Sequence, residues 1–236
     1  MVIINGKKVY KVAADAGHHF TTAGKRSPLL ANGKPMHEFD FNVDVAKRME
    51  KLLLKTGHFS VVRTYDETKD ASLYNRVKIA NDANADIFVS IHANAYGPGG
   101  WNNVTGIETF NCTGSKLGPV LAKLIQKELI EATGMVSRGV KESSFYVIRK
   151  TKMPAVLSEN GFMTNKEDVK KLLSSAYRQK IAMAHAVAIC KYFKVDYSIL
   201  FEKSEKEKNQ GKINNCLETV NGLMRTLEKL KKDLES

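Results

Sequence analysis

The 236-residue sequence predicts an α/β fold: a twisted, mostly parallel sheet of about six strands flanked by helices, plus a C-terminal helical tail. Three observations predict it. Short apolar, β-branched runs alternate with longer stretches of helical period from Lys8 to Phe193. Segments rich in Gly, Pro and Asn punctuate them. After Phe193 the composition turns charged, and a stripe of apolar residues three and four apart takes over. Residues 1–195 therefore read as one domain, and 196–236 as a linker and C-terminal helix. A hydrophobic content of 43% is enough for a packed core.

The elements follow in order. "KVYKVAAD" (Lys8–Asp15) alternates and then turns small, as an entering strand does. Residues 16–37 form a long polar loop, a length usually reserved for function. Glu38 to Gly57 is a helix, with Phe41, Val45, Met49 and Leu52 on one side and Gly57 as its stop. "FSVVRTY" is a strand, Ser72–Ala85 a helix, and "DIFVSIH" (Asp86–His92) the next strand. "GIETFNC" is a further strand, and Ser115–Gly134 an amphipathic helix starting near Pro119. "SFYVIRK" and "PAVLSENGF" read as two more strands. Asn165–Phe193 supplies one short and one long helix. In the tail, Ile213, Cys216, Val220, Leu223, Leu227, Leu230 and Leu234 trace about three heptads, a stripe suited to a coiled coil or to folding back on the domain.

Charge narrows the partners. The formal net charge is +12, while the tail from Asp196 carries eight Lys/Arg against eight Asp/Glu, so the excess lies in residues 1–195. Such a surface favours polyanions. No helix-turn-helix, RNA-binding or zinc-finger pattern occurs, so nucleic acid is not an expected partner. No apolar run approaches the roughly 18 residues of a membrane span, so membrane insertion is not expected. The N-terminus lacks the basic end, apolar run and cleavage site of an export signal, which predicts synthesis in the cytoplasm. Cys112, Cys190 and Cys216 are far apart and form no C-x-x-C pair, which argues against a disulfide framework or a thiolate zinc site.

In open α/β sheets, chemistry gathers where the C-terminal ends of strands meet loops. His18 in "DAGHHF", His92 in "SIHAN" and Glu159 in "VLSENGF" stand at such ends, and Glu38 opens the first long helix. Two imidazoles and a carboxylate are ligand types that zinc takes, and three protein ligands leave the fourth position open for hydrolysis. His18, Glu38 and His92 make such a set, although their dispersal leaves no local spacing signature. Each has a plain alternative: a hydrogen-bonded strand-end histidine, or a first-turn glutamate favoured by the helix dipole. Glu159 is costly to bury unless paired. Beside an activated water it would serve as general base, and otherwise as a strand-end salt bridge. The glycine-rich loop 96–105 carries the single tryptophan, Trp101, a candidate wall for a substrate groove. Asn94 is a candidate to fix the region around His92 and, with Trp101, to bind substrate.

In this order, "DAGHH", the helix-opening Glu38, "SIHAN" and "RGVKESSFYVIRKTKMPAVLSENGFMTN" resemble the successive motifs of the zinc-dependent N-acetylmuramoyl-L-alanine amidases of the type 3 class. The resemblance spans Lys8 to Phe193. It implies a zinc ion held by His18, Glu38 and His92, with Glu159 as the catalytic carboxylate and peptidoglycan as substrate. It also implies a flanked, twisted sheet of about six strands. The chain departs from the family pattern at His19, where glycine is usual, and at Asn160, where an apolar residue is usual.

Members of this class remodel bacterial walls or serve as phage endolysins. The absence of an export signal suits a phage or prophage endolysin that collects in the host cytoplasm, then reaches the wall after release and lyses the cell. Common aromatic-rich wall-binding repeats are missing. The tail is then expected to oligomerise the enzyme and so supply avidity, and the basic domain to meet anionic wall polymers. Two rival readings differ in class: a non-catalytic wall-binding or scaffolding protein, and a zinc peptidase acting on the stem peptide.

Overall fold

The computed structural model describes residues 2–4, 7–202 and 205–234. Its strands are β1 (Val2–Ile4), β2 (Lys7–Ala16), β3 (Phe59–Arg63), β4 (Ile87–Asn94), β5 (Ile107–Cys112), β6 (Ser137–Ser143) and β7 (Ala155–Phe162). Its α-helices are α1 (Glu38–Lys55), α2 (Leu73–Asp82), α3 (Gly118–Thr133), α4 (Tyr146–Lys150), α5 (Lys166–Leu173), α6 (Ser175–Phe193) and α7 (Glu205–Leu234). The chain divides into two compact units, Met1–Leu200 and Phe201–Ser236.

The sheet runs β3-β2-β4-β7-β5-β6, with β1 added as a short antiparallel partner of β2. Pairings β3·β2, β2·β4, β4·β7 and β5·β6 are parallel, whereas β5·β7 is antiparallel. Side chains on the strands alternate between the two faces. Val12, Ala14 and Ala16 of β2, with Ile87, Val89 and Ile91 of β4, join the large core under α1, α3, α5 and α6. Ala13, Phe88 and Leu157 point the other way, into a smaller core closed by Val77 and Ala80 of α2 and by Val147 and Ile148 of α4. Both faces are therefore covered, as a parallel sheet requires.

Local signals set the helix ends. Glu38 and Asp40 occupy the first turn of α1 and Lys55 its last, each sign matching the helix dipole. Ser72 caps α2 by accepting from the Asn75 amide. Gly134 ends α3 in the left-handed conformation, at φ 65°.

One expected strand is a helix. "SFYVIRK" forms α4 over Tyr146–Lys150, and the strand lies just before it, at Ser137–Ser143. The segment "SRGVKES" is the edge of the sheet and is half-buried to exposed along its length. A polar edge strand lacks the apolar run that marks a central one, and the buried Val147 and Ile148 supplied that run from a single helical turn.

Leu200, just beyond the expected boundary at residue 195, still packs in the large core. In the second unit, α7 exposes Ile213, Cys216, Val220, Leu223 and Leu227. Leu230 and Leu234 of the expected heptad stripe lie outside the residues whose side chains are described. Cys112, Cys190 and Cys216 are free thiols. No helix among the described residues is long and apolar enough to cross a membrane.

Candidate functional site

Strands β2, β4 and β7 are parallel neighbours, so their C-terminal ends share one edge of the sheet. His18 follows β2, His92 lies near the end of β4, and Glu159 sits beside His92 in the β4·β7 register. The first turn of α1 brings Glu38 to the same edge.

The turn after β2 is built for close approach. The Gly17 amide donates to the Ile91 carbonyl at 3.1 Å. A Cβ on Gly17 would lie 1.9 Å from Cε1 of His92, so only glycine fits against that ring. His18 then takes a left-handed backbone, at φ 63°, a conformation costly for a side chain with a Cβ. Buried Arg76 holds the turn there: its guanidinium donates to the carbonyls of Ala16 and His18 and to Asp15 Oδ1. Asn42 ties the turn to α1, because its Nδ2 donates to the Gly17 carbonyl at 2.9 Å and to Glu38 Oε1 at 3.2 Å.

Glu38 lies between the two imidazoles. Its Oε1 is 2.9 Å from His92 Nδ1 and its Oε2 is 3.5 Å from His18 Nε2. The Ala93 amide also donates to Oε1. One ligand atom from each of His18, Glu38 and His92 lies within 4.8 Å of the others, the one such cluster among the described residues. Burial opposes charge on both Glu38 and His92, but their hydrogen bond outweighs it, holding Glu38 below the ordinary carboxylate range and His92 above the ordinary imidazole range. Burial pulls His18 down to about 4, against the attraction of Glu38. A neutral His18 keeps the lone pair that a metal needs.

A further hydrogen-bond shell orients His92. The Asp15 carboxylate, held ionised by Arg76 despite its burial, can only accept. Ser90 Oγ therefore donates to Asp15 at 2.6 Å and accepts from His92 Nε2–H at 3.1 Å. That leaves Nδ1 as the nitrogen turned toward Glu38. On the other face of the sheet, Asn160 Nδ2 donates to the His92 carbonyl, and Ser158 links Asn160 to His185. The polar residue at 160 thus has a structural role. His185 is buried, and burial lowers it to about 4.

Glu159 is the fourth member. Its Oε2 is buried and has no hydrogen-bond partner within the protein. Burial drives the carboxyl up to about 8; His92 opposes this, while Glu38 and Glu108 add to it. His18, Lys25, Arg76, His92, Phe145 and Glu159 line a cavity of about 260 Å³. These groups suit a zinc ion: the donors are of the right types, they lie within 4.8 Å of one another, and an unpartnered carboxylate oxygen belongs to a residue that lines the same cavity as both histidines.

The remaining candidates lie elsewhere. Asn94 Nδ2 donates to Glu108 Oε1 rather than to His92. Trp101 packs on the large core and lines a separate cavity with Leu29, Leu30, Lys166 and Leu173. His19 packs against Phe20 and Phe39, and Thr21 Oγ1 lies 2.9 Å from its Nδ1. Arg76, Asp15, Ser90 and Asn42, which brace the site, were not singled out from the sequence. Their only sequence signal was adjacency: Asp15 opens "DAG", Ser90 lies two residues before His92, and Asn42 one turn after Glu38.

Comparison with known proteins gives the family. The N-acetylmuramoyl-L-alanine amidase family model matches residues 12–191. An uncharacterised Bacillus subtilis protein, YqiI, is 38% identical over 192 residues, covering 80% of this chain and 86% of its own. The endolysin of Bacillus phage SPP1 is 36% identical over 182 residues, covering 74% of this chain and 63% of the endolysin. Two further amidase relatives from Bacillus are matched over only 35% and 33% of their own lengths. The crystal structure of an N-acetylmuramoyl-L-alanine amidase from Clostridium difficile 630 superimposes with a TM-score of 0.74 at 30% identity, covering 80% of this chain and 98% of that one. The chain belongs to the N-acetylmuramoyl-L-alanine amidase family.

Proposed function

We propose that the protein hydrolyses the amide between the lactyl group of N-acetylmuramic acid and L-alanine in peptidoglycan. His18, Glu38 and His92 hold one zinc ion, and Glu159 is the general base. The observation that carries this reading is the convergence of three donor atoms within 4.8 Å beside an unpartnered, buried carboxylate. When bound, zinc supplies Lewis acidity, polarising a carbonyl and easing deprotonation of water. Glu159 acts in its ionised form, which the charge of a bound zinc would favour against the burial that raises it; its Oε2 accepts the proton of the attacking water as the oxygen adds to the lactyl carbonyl carbon. The same carboxyl then returns that proton to the alanine nitrogen as the C–N bond breaks. Arg76, Asp15 and Ser90 keep the two imidazoles aimed while this happens.

The test is digestion of purified Gram-positive peptidoglycan. Free amino-terminal L-alanine without new reducing sugar, abolished by a chelator and restored by zinc, is the expected result. New amino ends on other residues would make the protein a stem-peptide peptidase instead.

The lytic reading, a phage or prophage enzyme made in the host cytoplasm and acting on the wall after release, is supported by likeness to the SPP1 endolysin. Likeness to the N-acetylmuramoyl-L-alanine amidase LytC of Bacillus subtilis favours the rival reading, a bacterial wall enzyme. Self-association through α7 is supported by its exposed Ile213, Val220, Leu223 and Leu227. Light scattering of the full chain should then give a mass above that of one protomer, and a monomer would end the idea. Anionic wall polymers remain partners suggested by the net charge of +12.

A further inference from the structure

Beyond Glu159, the sheet carries a row of charges toward its edge. Glu108 of β5 pairs with Glu159 across the antiparallel ladder, so both carboxylates share the α2/α4 face. Arg138 Nε donates to Glu108 Oε2 at 2.8 Å, and Lys141 Nζ donates to the same oxygen at 2.5 Å. Asn94 holds the other oxygen. Burial pushes Glu108 up, but the hydrogen bonds from Lys141 and Arg138 outweigh it and keep the group ionised. Two cations against one carboxylate leave the cluster with a net positive charge.

The cations are not used up. The Arg138 side chain is 32% exposed and that of Lys141 40%. An ammonium carries three N–H donors and a guanidinium five; Glu108 takes one from each, and Arg138 Nη1 also donates to the Thr105 carbonyl at 3.5 Å. Glu108 thus fixes the direction of two long side chains whose remaining donors can reach a ligand. Such pre-organisation is what makes a charged pair selective for a carboxylate.

Spacing decides which part of the substrate meets them. Neighbouring strands lie roughly 4.8 Å apart, so β6 lies on the order of 10 Å from the backbone of Glu159. An extended chain covers about 3.4 Å per residue, so the cations sit two to three residues from the reacting amide. On the sugar side the lactyl carboxyl is consumed in that amide and the N-acetyl groups are neutral. Free carboxylates near the cut therefore lie on the peptide.

We propose that Arg138 and Lys141 form a specificity subsite for a carboxylate on the stem peptide, at the residue after L-alanine. This rests on the amidase reading for the identity of the ligand, whereas its test reads binding and needs no turnover. The probes are L-alanyl-γ-D-glutamyl-L-lysinamide and the same peptide with the glutamyl α-carboxylate amidated, titrated calorimetrically into the zinc-loaded protein. The wild type should bind the carboxylate form about tenfold or more tightly than the amide form. The double variant Arg138→Gln/Lys141→Gln should lose that preference, and Lys141→Arg should retain it, which separates charge recognition from damage to the Glu108 cluster.

Equal binding of the two peptides by the wild type, or an unchanged preference in the double variant, overturns the inference. So does binding of glycerol phosphate with neither peptide bound, which would assign the cations to an anionic wall polymer. Failure of the amidase reading shows separately, as absence of free L-alanine ends from peptidoglycan. A charge-dependent peptide preference would survive that failure.

Discussion

The backbone of Gly17 lies against the imidazole of His92, so that an added Cβ would be 1.9 Å from ring atom Cε1 and 2.2 Å from Nε2. The glycine of "DAG" is therefore part of the site's geometry rather than of its turn. Gly17 has no positive φ, so the constraint is steric contact with the ring alone.

Gly17→Ala should fold but bind zinc poorly. The ring must move, and it is fixed on both sides, by Glu38 at Nδ1 and by Ser90 at Nε2. Loss of such orientation typically costs about 10–100-fold in metal affinity. Competition with a chromophoric chelator measures it. An unchanged zinc affinity would mean that His92 is not a ligand or that the turn is slack.

Arg76 and Asp15 form a buried ion pair, each about 2% exposed or less. Removing one partner strands the other, so Arg76→Met should cost about 3–5 kcal/mol in urea unfolding. The double variant Arg76→Met/Asp15→Asn should recover part of that loss, because no uncompensated charge remains buried. It should still bind zinc weakly, since the His18 carbonyl has lost its donor. A single variant as stable as wild type would contradict the pairing.

The order of elements was legible because each central strand carries an apolar run and each helix its own period or cap. His18, His92 and Glu159 could be read because an ionisable residue at the end of an apolar strand is conspicuous, and Glu38 because it opens a helix. The braces were not legible. Arg76 sits in "SLYNRVKIAND", where a lone arginine looks like part of a solvated face; its burial depends on the turn of β2 lying over α2. Strand β6 was hidden for the opposite reason: "SRGVKES" is polar because its edge is open. Arg138 and Lys141 gain meaning only once β6 is placed beside Glu108.

His185 supplies a pH-dependent term in stability. Its folded value is about 4 against an ordinary imidazole value of 6.5, because burial disfavours the charged ring. Between those limits the unfolded chain binds a proton that the native protein refuses, so stability falls as pH drops from 6.5 toward 4. The term amounts to about 3 kcal/mol in total. His185→Gln should be less stable than wild type at pH 7.5, because the hydrogen bonds of the ring to Ser158 Oγ and the Ile181 carbonyl are lost. The gap between the two proteins should then narrow on acidification by about 1.4 kcal/mol per pH unit. His18 and Glu159 also titrate, but they are common to both proteins and cancel in the difference. Chelator-treated samples unfolded in urea at several pH values give the slope, and a constant gap would show that His185 does not titrate in this range.

Glu159→Gln separates catalysis from metal binding. Glutamine keeps the shape and an acceptor oxygen but cannot take the proton of water. Turnover on muramyl-peptide substrate should fall by about 10²–10⁴, while zinc content stays at one per chain, because Glu159 is not in the donor cluster of His18, Glu38 and His92. His92→Ala should do the reverse and lose the metal, since Glu38 then keeps only His18 as a neighbouring ligand. The pair of variants discriminates among roles that a single inactive mutant would leave mixed. Near wild-type turnover in Glu159→Gln would move the general base elsewhere in the cavity, and stoichiometric zinc in His92→Ala would break the proposed ligand set.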